Sequence, residues 1–259
     1  MADFIKRYWD SQAQMHAESH WSSWGDIYMI NLEVEMIGHY VQSGQSVLDV
    51  GCANGYSTFQ QLDKDPKSIT GIDFSDEMIA NAEKTRNSLD PAKARRCRFQ
   101  VGDIRSLDFP DNSFDLVYTT RVLINLPTWN DQITGIRECL RVCKRGGSVV
   151  FSEAFWEPLA LLNAIRALKQ LPPLVEHDFN RYLKKHLLEE FLSSENLQFE
   201  NVDFSSVYYI GSRFLRELVT DPTQYPGYSN PVNEAFYELE RRFSGGGFGI
   251  QQGYVVRLK

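Results

Sequence analysis

The chain has 259 residues, 42% hydrophobic and 24% charged, ordinary usage for a protein that buries a sizeable core without disulfide or metal staples. This excludes a disordered tail and a disulfide miniprotein, and the length suits one α/β domain with extra segments better than two full domains. With 27 Lys and Arg against 34 Asp and Glu, the formal charge is -7, so the molecule as a whole lacks the electrostatic footprint of a duplex-binding protein.

The opening MADFIKRYWDSQAQ contains no apolar run long enough for a secretory signal, and nowhere do about 18 consecutive apolar residues occur. A soluble cytoplasmic protein without membrane insertion is the expectation. Residues 1–28 carry a dense aromatic set, Tyr8, Trp9, Trp21, Trp24 and Tyr28. The first strand is expected at 46–50, followed by a Gly-rich turn and helical spacing over 56–64. Further strand-length apolar runs lie at 68–73, 98–101, 114–119 and 147–152, with helical segments at 75–86 and 128–143 between them. This alternation predicts a parallel sheet covered on both faces by helices.

Ser75 and Thr128 are good N-caps, Asp131 gives a capping-box-like spacing, and Gly146-Gly147 are expected to stop the helix that ends at Cys143. A helix over 157–170 is ended by Pro172-Pro173, and an amphipathic helix is expected over 182–194. A strand-like stretch covers 198–210 and a last strand 248–258, with helical patterns at 212–220 and 231–243 between them. A connection of that length usually has a job, here a cap over a site. Cys52, Cys97, Cys139 and Cys143 form no CxxC pair and read as reduced core thiols.

The chemistry gathers at Asp49-Val50-Gly51-Cys52-Ala53-Asn54-Gly55, where small residues recur at every second position directly after a strand. Such a turn lets a ligand lie close to the backbone. A dinucleotide fingerprint would put its third glycine at position 56, which is Tyr56. The spacing is GxAxG, with Asp49 two positions before the first glycine. This resembles the first motif of class I S-adenosylmethionine (SAM) dependent methyltransferases, Asp/Glu-x-Gly-x-Gly-x-Gly, with Ala53 in place of the middle glycine. Asp73 ends the next strand at the spacing where an acid accepts both ribose hydroxyls. Asp103 follows the third strand, where the family uses an acid on the adenine amino group. Residues 112–117 and 141–147 agree with the resemblance, which covers roughly 45–155.

The resemblance implies a Rossmann-like doubly wound α/β fold of seven strands in the order 3-2-1-4-5-7-6, the last antiparallel, with helical caps. It implies SAM as cofactor, S-adenosylhomocysteine as product, and a cofactor set of Asp49, Gly51, Ala53, Gly55, Asp73, Phe74, Met78, Asp103, Ile104 and Arg121. Residues 1–44 are expected to be an N-terminal helical lid and 45–259 the methyltransferase domain, with cap insertions at about 155–195 and 211–247.

Methyl transfer from a sulfonium is an in-line displacement, so the protein must align the acceptor and exclude water. A base is needed only where the acceptor loses a proton. Among His16, His20, His39, His177 and His186, the polar stretch around His177 makes it the favoured base, with Glu153 at the end of the fifth strand next. In this family the segment just after the fourth strand lines the transfer site, so Arg121 and Asn125 are candidates; a salt-bridged Arg and a helix-capping Asn are the alternative. Trp24, Asn125, Arg181, Tyr182, Tyr208 and Arg213 are the expected acceptor contacts. Residues 180–182 and 204–209 look like those of bacterial methyltransferases that modify surface glycans and phosphorylated sugars. The leading expectation is therefore O-methylation of a sugar, sugar phosphate or small acid. The alternatives are a phenolic or hydrophobic natural product as acceptor, or a noncatalytic SAM-binding module. No nucleic-acid partner and no catalytic metal are expected, since no His, Asp and Glu cluster has ligand spacing.

Overall fold

The computed structural model describes residues 2–221, 223–224 and 226–259. Helix α1 (Ala2–His16), a 3-10 turn (His20–Ser22) and α2 (Ile27–Gly38) precede the first strand. The parallel half then alternates β1 (Ser46–Val50), α3 (Tyr56–Gln61), β2 (Ser68–Asp73), α4 (Asp76–Ser88), the short α5 (Pro91–Ala94), β3 (Cys97–Val101), β4 (Phe114–Thr120), α6 (Trp129–Val142) and β5 (Cys143–Ala154). The remainder comprises α7 (Trp156–Leu168), α8 (Lys185–Ser194), β6 (Gln198–Val202), α9 (Ser206–Ile210), α10 (Arg216–Val219), α11 (Pro231–Glu240) and β7 (Gln251–Arg257).

The seven strands form one sheet in the order β3-β2-β1-β4-β5-β7-β6. The first five run parallel, and β7 is antiparallel to both β5 and β6. That is the order that the resemblance to the methyltransferase family implies. The central strands carry apolar runs because both faces of the sheet are covered there: Val47, Leu48, Ile69, Val117, Val149, Val150 and Phe151 are all fully buried. Each such side chain contributes roughly 1.5–3 kcal/mol by leaving water. In the register, Val50 lies between Ile72 and Thr119, and Asp73 opposite Val101. The turns after β1, β2, β3 and β4 therefore emerge along one edge.

Several boundaries differ from expectation. Helix α6 passes directly into β5, and Gly146-Gly147 lie inside that strand. A Cβ on Gly147 would sit 2.7 Å from the Asp115 carbonyl oxygen, so glycine serves close backbone approach there. The helix expected from 182 begins at Lys185, because Leu183 is drawn into an extended bridge, its N–H donating to Ala154 O at 3.0 Å. The strand expected over 198–210 stops at Val202. Asp203 accepts from Ser206 Oγ at 2.5 Å, and the chain turns into α9, a π-helical turn (Gly211–Leu215) and α10. The N-terminal 1–44 stretch also divides: α1 and the 3-10 turn lie over the sheet edge, whereas α2 is core, with Met29, Ile30 and Ile37 at most 1% exposed. All four cysteines are free and buried. Among the described residues no helix is long and apolar enough to cross a membrane.

Candidate active site

Along the C-terminal edge of the parallel strands lies a cavity of about 930 Å³, near the upper end of the range for small-molecule sites. Its floor is the Gly-rich turn. Gly51 has φ +78°, and a Cβ there would lie 1.9 Å from Val122 Cγ2, so only glycine fits. The Gly51 and Cys52 N–H groups donate to Ile72 O at 2.7 and 2.9 Å, which ties the turn to β2. Ala53 is also left-handed, at φ +48°, the conformation that the glycine of the family motif supplies without cost.

The Ala53 N–H donates to Asp73 Oδ2 and the Ser75 N–H to Asp73 Oδ1, both at 2.9 Å. Each carboxylate oxygen keeps a lone pair for a further donor. Burial raises the Asp73 pKa, and the two backbone donors oppose this. Beneath the turn, Asp49 Oδ2 accepts from Thr58 Oγ1 at 2.5 Å, while Oδ1 is buried without a well-formed hydrogen bond. Burial pushes that carboxyl up to about 7. Asp103 is half-exposed; burial raises it, but the Arg105 guanidinium, 2.6 Å away, holds it below the usual carboxylate range. Phe74, Met78 and Ile104 supply apolar lining between these acids. Gly55 is not part of the lining: it starts α3 at φ +79° and packs on Phe59 and Phe99.

Helix α1 covers this half. Ser75 Oγ donates to Asp10 Oδ1 at 2.5 Å, Asn81 Nδ2 to Ala13 O at 3.1 Å, and Lys6 pairs with Asp76. Asn54, inside the Gly-rich motif, donates from Nδ2 to Ala17 O and Ser19 O at 2.8 and 2.9 Å, fastening the lid to the turn. Tyr8, Trp9, Trp21 and Trp24 face the cavity; Tyr28 lies outside it, 5.4 Å from the Tyr237 ring.

The opposite half is built from distant segments. Arg121, at φ +56°, pairs through Nε with Glu33 Oε2 at 3.1 Å and lies 4.9 Å over the Trp24 ring. Burial pushes the Glu33 carboxyl up to about 7 despite this partner. Asn125 Nδ2 donates to Arg121 O at 2.7 Å, and its Oδ1 is buried without a partner. Arg213 pairs with Asp26 at 2.5 Å and lies 4.5 Å over the Tyr228 ring. Tyr182 and Tyr209 complete this wall; burial pushes the Tyr182 phenol up to about 12.

Of the expected acceptor contacts, Trp24, Asn125, Tyr182 and Arg213 meet at the cavity. Arg181 does not: its guanidinium folds back onto Asn180 O and Asp178 O, at 2.6 and 3.1 Å, on the exposed side of its loop. Tyr208 lies behind the wall, its hydroxyl donating to Asp26 Oδ1 at 2.6 Å, and its neighbour Tyr209 takes the lining position. His177 is exposed at the rim, beside the Phe179 and Tyr8 rings at 4.8 and 6.0 Å. Glu153 is fully buried under the loop after β4. It accepts from Thr119 Oγ1 at 2.7 Å and from the N–H groups of Val122, Leu123 and Ile124 at 3.1–3.4 Å, and burial lifts its pKa to about 7. It shapes the loop and does not face the cavity. Asp26, Glu33 and Tyr228 carry no sequence signal of their own; the seven-residue spacing from the N-cap Asp26 to Glu33 is the pattern that could have placed those two on one helix face. Among the described residues no three His, Cys, Asp or Glu side chains gather as a metal site.

Residues 47–147 match the family described as "Methyltransferase domain". An uncharacterized methyltransferase of Schizosaccharomyces pombe is 36% identical over 119 residues, 44% of this chain and 42% of that protein, so the chain matches less than half the length of this relative. A ubiquinone biosynthesis O-methyltransferase of Pseudomonas fluorescens is 29% identical over 69% of this chain and 72% of its own length. Among solved structures, magnesium protoporphyrin IX methyltransferase of Synechocystis with bound S-adenosylhomocysteine superposes with a TM-score of 0.62 at 15% identity, covering 98% of this chain and 99% of that one. That level of identity speaks for the fold. The strand order, with the Gly-rich turn at its first crossover, is that of the class I, Rossmann-like methyltransferase fold, and residues 47–147 within it match the methyltransferase-domain family.

Proposed function

We propose that the chain is a SAM-dependent methyltransferase acting on an oxygen of a small polar acceptor: a sugar, sugar phosphate or small acid. The observation that carries this reading is one cavity with two differently built halves. The first half fits the cofactor: a cradle at Gly51 that a Cβ would fill and an Asp73 carboxylate with lone pairs to spare. Asp73 would hold the ribose and Asp103 the adenine edge, with Phe74, Met78 and Ile104 against the ring. Bound SAM supplies an electrophilic methyl group and leaves as S-adenosylhomocysteine.

The second half aligns the acceptor. Trp24, Tyr182 and Tyr209 exclude water, and Arg121 and Asn125 orient polar groups. A carboxylate or phosphate oxygen attacks as it stands. For a hydroxyl acceptor, His177 at the rim takes the proton. Tyr182, held near 12, is a poor base at neutral pH. The oxygen assignment is supported by the name of the Pseudomonas relative. The reading requires neither a metal nor a nucleic-acid partner, and activity undiminished by a chelator is expected. Labelled SAM offered to purified protein with sugar nucleotides, sugar phosphates, small acids and phenols tests it. Transfer confined to phenols would favour a hydrophobic natural product, for which the aromatic lining is the supporting observation. SAM binding without transfer to any of them would favour a noncatalytic module.

A further inference from the structure

Two carboxylates on one face of α2 each hold an arginine of the acceptor wall. Asp26, the N-cap, and Glu33, seven residues on, stand two turns apart. Asp26 Oδ1 accepts from the Met29 N–H at 3.2 Å and the Tyr208 hydroxyl at 2.6 Å, and Oδ2 accepts from Arg213 Nη2 at 2.5 Å. The guanidinium is thereby held on Asp26 through Nη2, beside the Tyr208 hydroxyl. Its other terminal nitrogen, Nη1, is buried and has no hydrogen-bond partner. A buried charged donor left in that state is costly, and an oxygen acceptor brought by a ligand would relieve it.

The surroundings narrow the ligand. The Arg213 guanidinium lies 4.5, 5.5 and 5.9 Å from the ring centroids of Tyr228, Tyr209 and Tyr208. The tyrosine faces that would cradle an ammonium already hold a cation of the protein itself. Trp24 meets Tyr228 edge-on at 6.3 Å and carries Arg121 over its ring at 4.9 Å, so each ring of one aromatic pair has a guanidinium over it. Both act on the Tyr182 phenol, opposing the rise that burial gives it. Opposite charge is supplied by Asp26, Glu33 and Glu176, of which Glu33 is only partly ionised near neutral pH.

We propose that the methyl acceptor carries an anionic oxygen group, a carboxylate or a phosphate monoester, that docks on Arg213 Nη1 with Arg121 at its flank, and that Arg213 is the specificity-determining residue. The unpartnered Asn125 Oδ1 would take a hydroxyl or amide donor of the same ligand. This rests on the methyltransferase reading above.

Calorimetry on the full chain tests it, with S-adenosylhomocysteine titrated first and then benzoate, phenyl phosphate or benzamide added to the complex. The parent should bind at least one of the two anions 10- to 100-fold more tightly than benzamide, as about 1.5–3 kcal/mol for a charged hydrogen bond requires. The stronger anion distinguishes carboxylate from phosphate. Arg213→Met should lose that preference with S-adenosylhomocysteine affinity unchanged. Because this variant strands Asp26, the double variant Asp26→Asn/Arg213→Met, which removes both charges, is measured alongside it. Equal binding of benzamide and both anions to the parent, or an anion preference that persists in either folded variant, overturns the proposal alone. A parent that fails to bind S-adenosylhomocysteine overturns the methyltransferase reading and the proposal with it.

Discussion

Replacing Asp73 separates two duties that one carboxylate performs. Its oxygens accept the Ala53 and Ser75 N–H groups at 2.9 Å, which holds the Gly-rich turn against β2, and their remaining lone pairs face the cavity for a ribose. Asp73→Ala removes both functions. Losing the charged hydrogen bonds to the ribose costs about 1.5–3 kcal/mol, which weakens S-adenosylhomocysteine by about 10- to 100-fold. Leaving the two backbone donors without their partner also lowers stability, by about 1–3 kcal/mol. Asp73→Asn keeps an acceptor for one donor and should lie between parent and alanine in both respects. Titration calorimetry gives the first quantity and thermal unfolding the second. Burial raises the Asp73 pKa, so affinity should also fall with decreasing pH sooner than an exposed aspartate would dictate. A folded Asp73→Ala variant with parental affinity for S-adenosylhomocysteine would refute the reasoning.

The turn itself offers a contrast. Gly51→Ala, with φ +78° and a Cβ 1.9 Å from Val122, should cost at least about 2 kcal/mol in denaturant melts. Ala53→Gly should stay within about 1 kcal/mol of parent, since relief of left-handed strain opposes the added freedom of the unfolded chain. The Glu33 carboxyl is raised from 4.5 to about 7, so its stabilising contribution is fully present below about pH 4.5 and lost as pH rises through 7. Glu33→Gln should therefore flatten the decline of melting temperature between about pH 5 and 8, and an unchanged slope would contradict the assignment. Glu153→Ala should lower the melting temperature, because three backbone donors and Thr119 lose their acceptor. His177→Ala should leave the melt unaltered but slow transfer to a hydroxyl acceptor by roughly 100-fold; parental turnover in that variant would remove His177 from the reaction.

The strands from β1 to β5 were legible because most are apolar or β-branched runs set between helical segments, and the cofactor-side acids because each lies at or next to the C-terminal end of one of those strands. The stretch after Val202 was not. Ser206–Ile210 has the β-branched and aromatic composition of a strand, yet it is helical, with Tyr208 directed to Asp26 and Tyr209 to Gln251. A helix buried on successive faces has no amphipathic period to read. On the acceptor side, Arg181 and Arg213 were equivalent in sequence. What separates them is a carboxylate 187 positions from Arg213, against the carbonyls of its own loop for Arg181. Partnerships of that range leave no local pattern.

The position of β7 bears on how the molecule is made. The strand pairs along its whole length with β5 on one side and from Gly253 to Arg257 with β6 on the other, so it closes the sheet from within. Until residue 257 has left the ribosome, β5 offers an unpaired, wholly apolar edge from Val149 to Phe151, and β6 has no strand to join. The parallel half can assemble as it emerges, but one edge stays open through the synthesis of about a hundred further residues. That interval is the chain's greatest exposure to edge-to-edge association, and slowing translation past β5 should lengthen its dependence on chaperones.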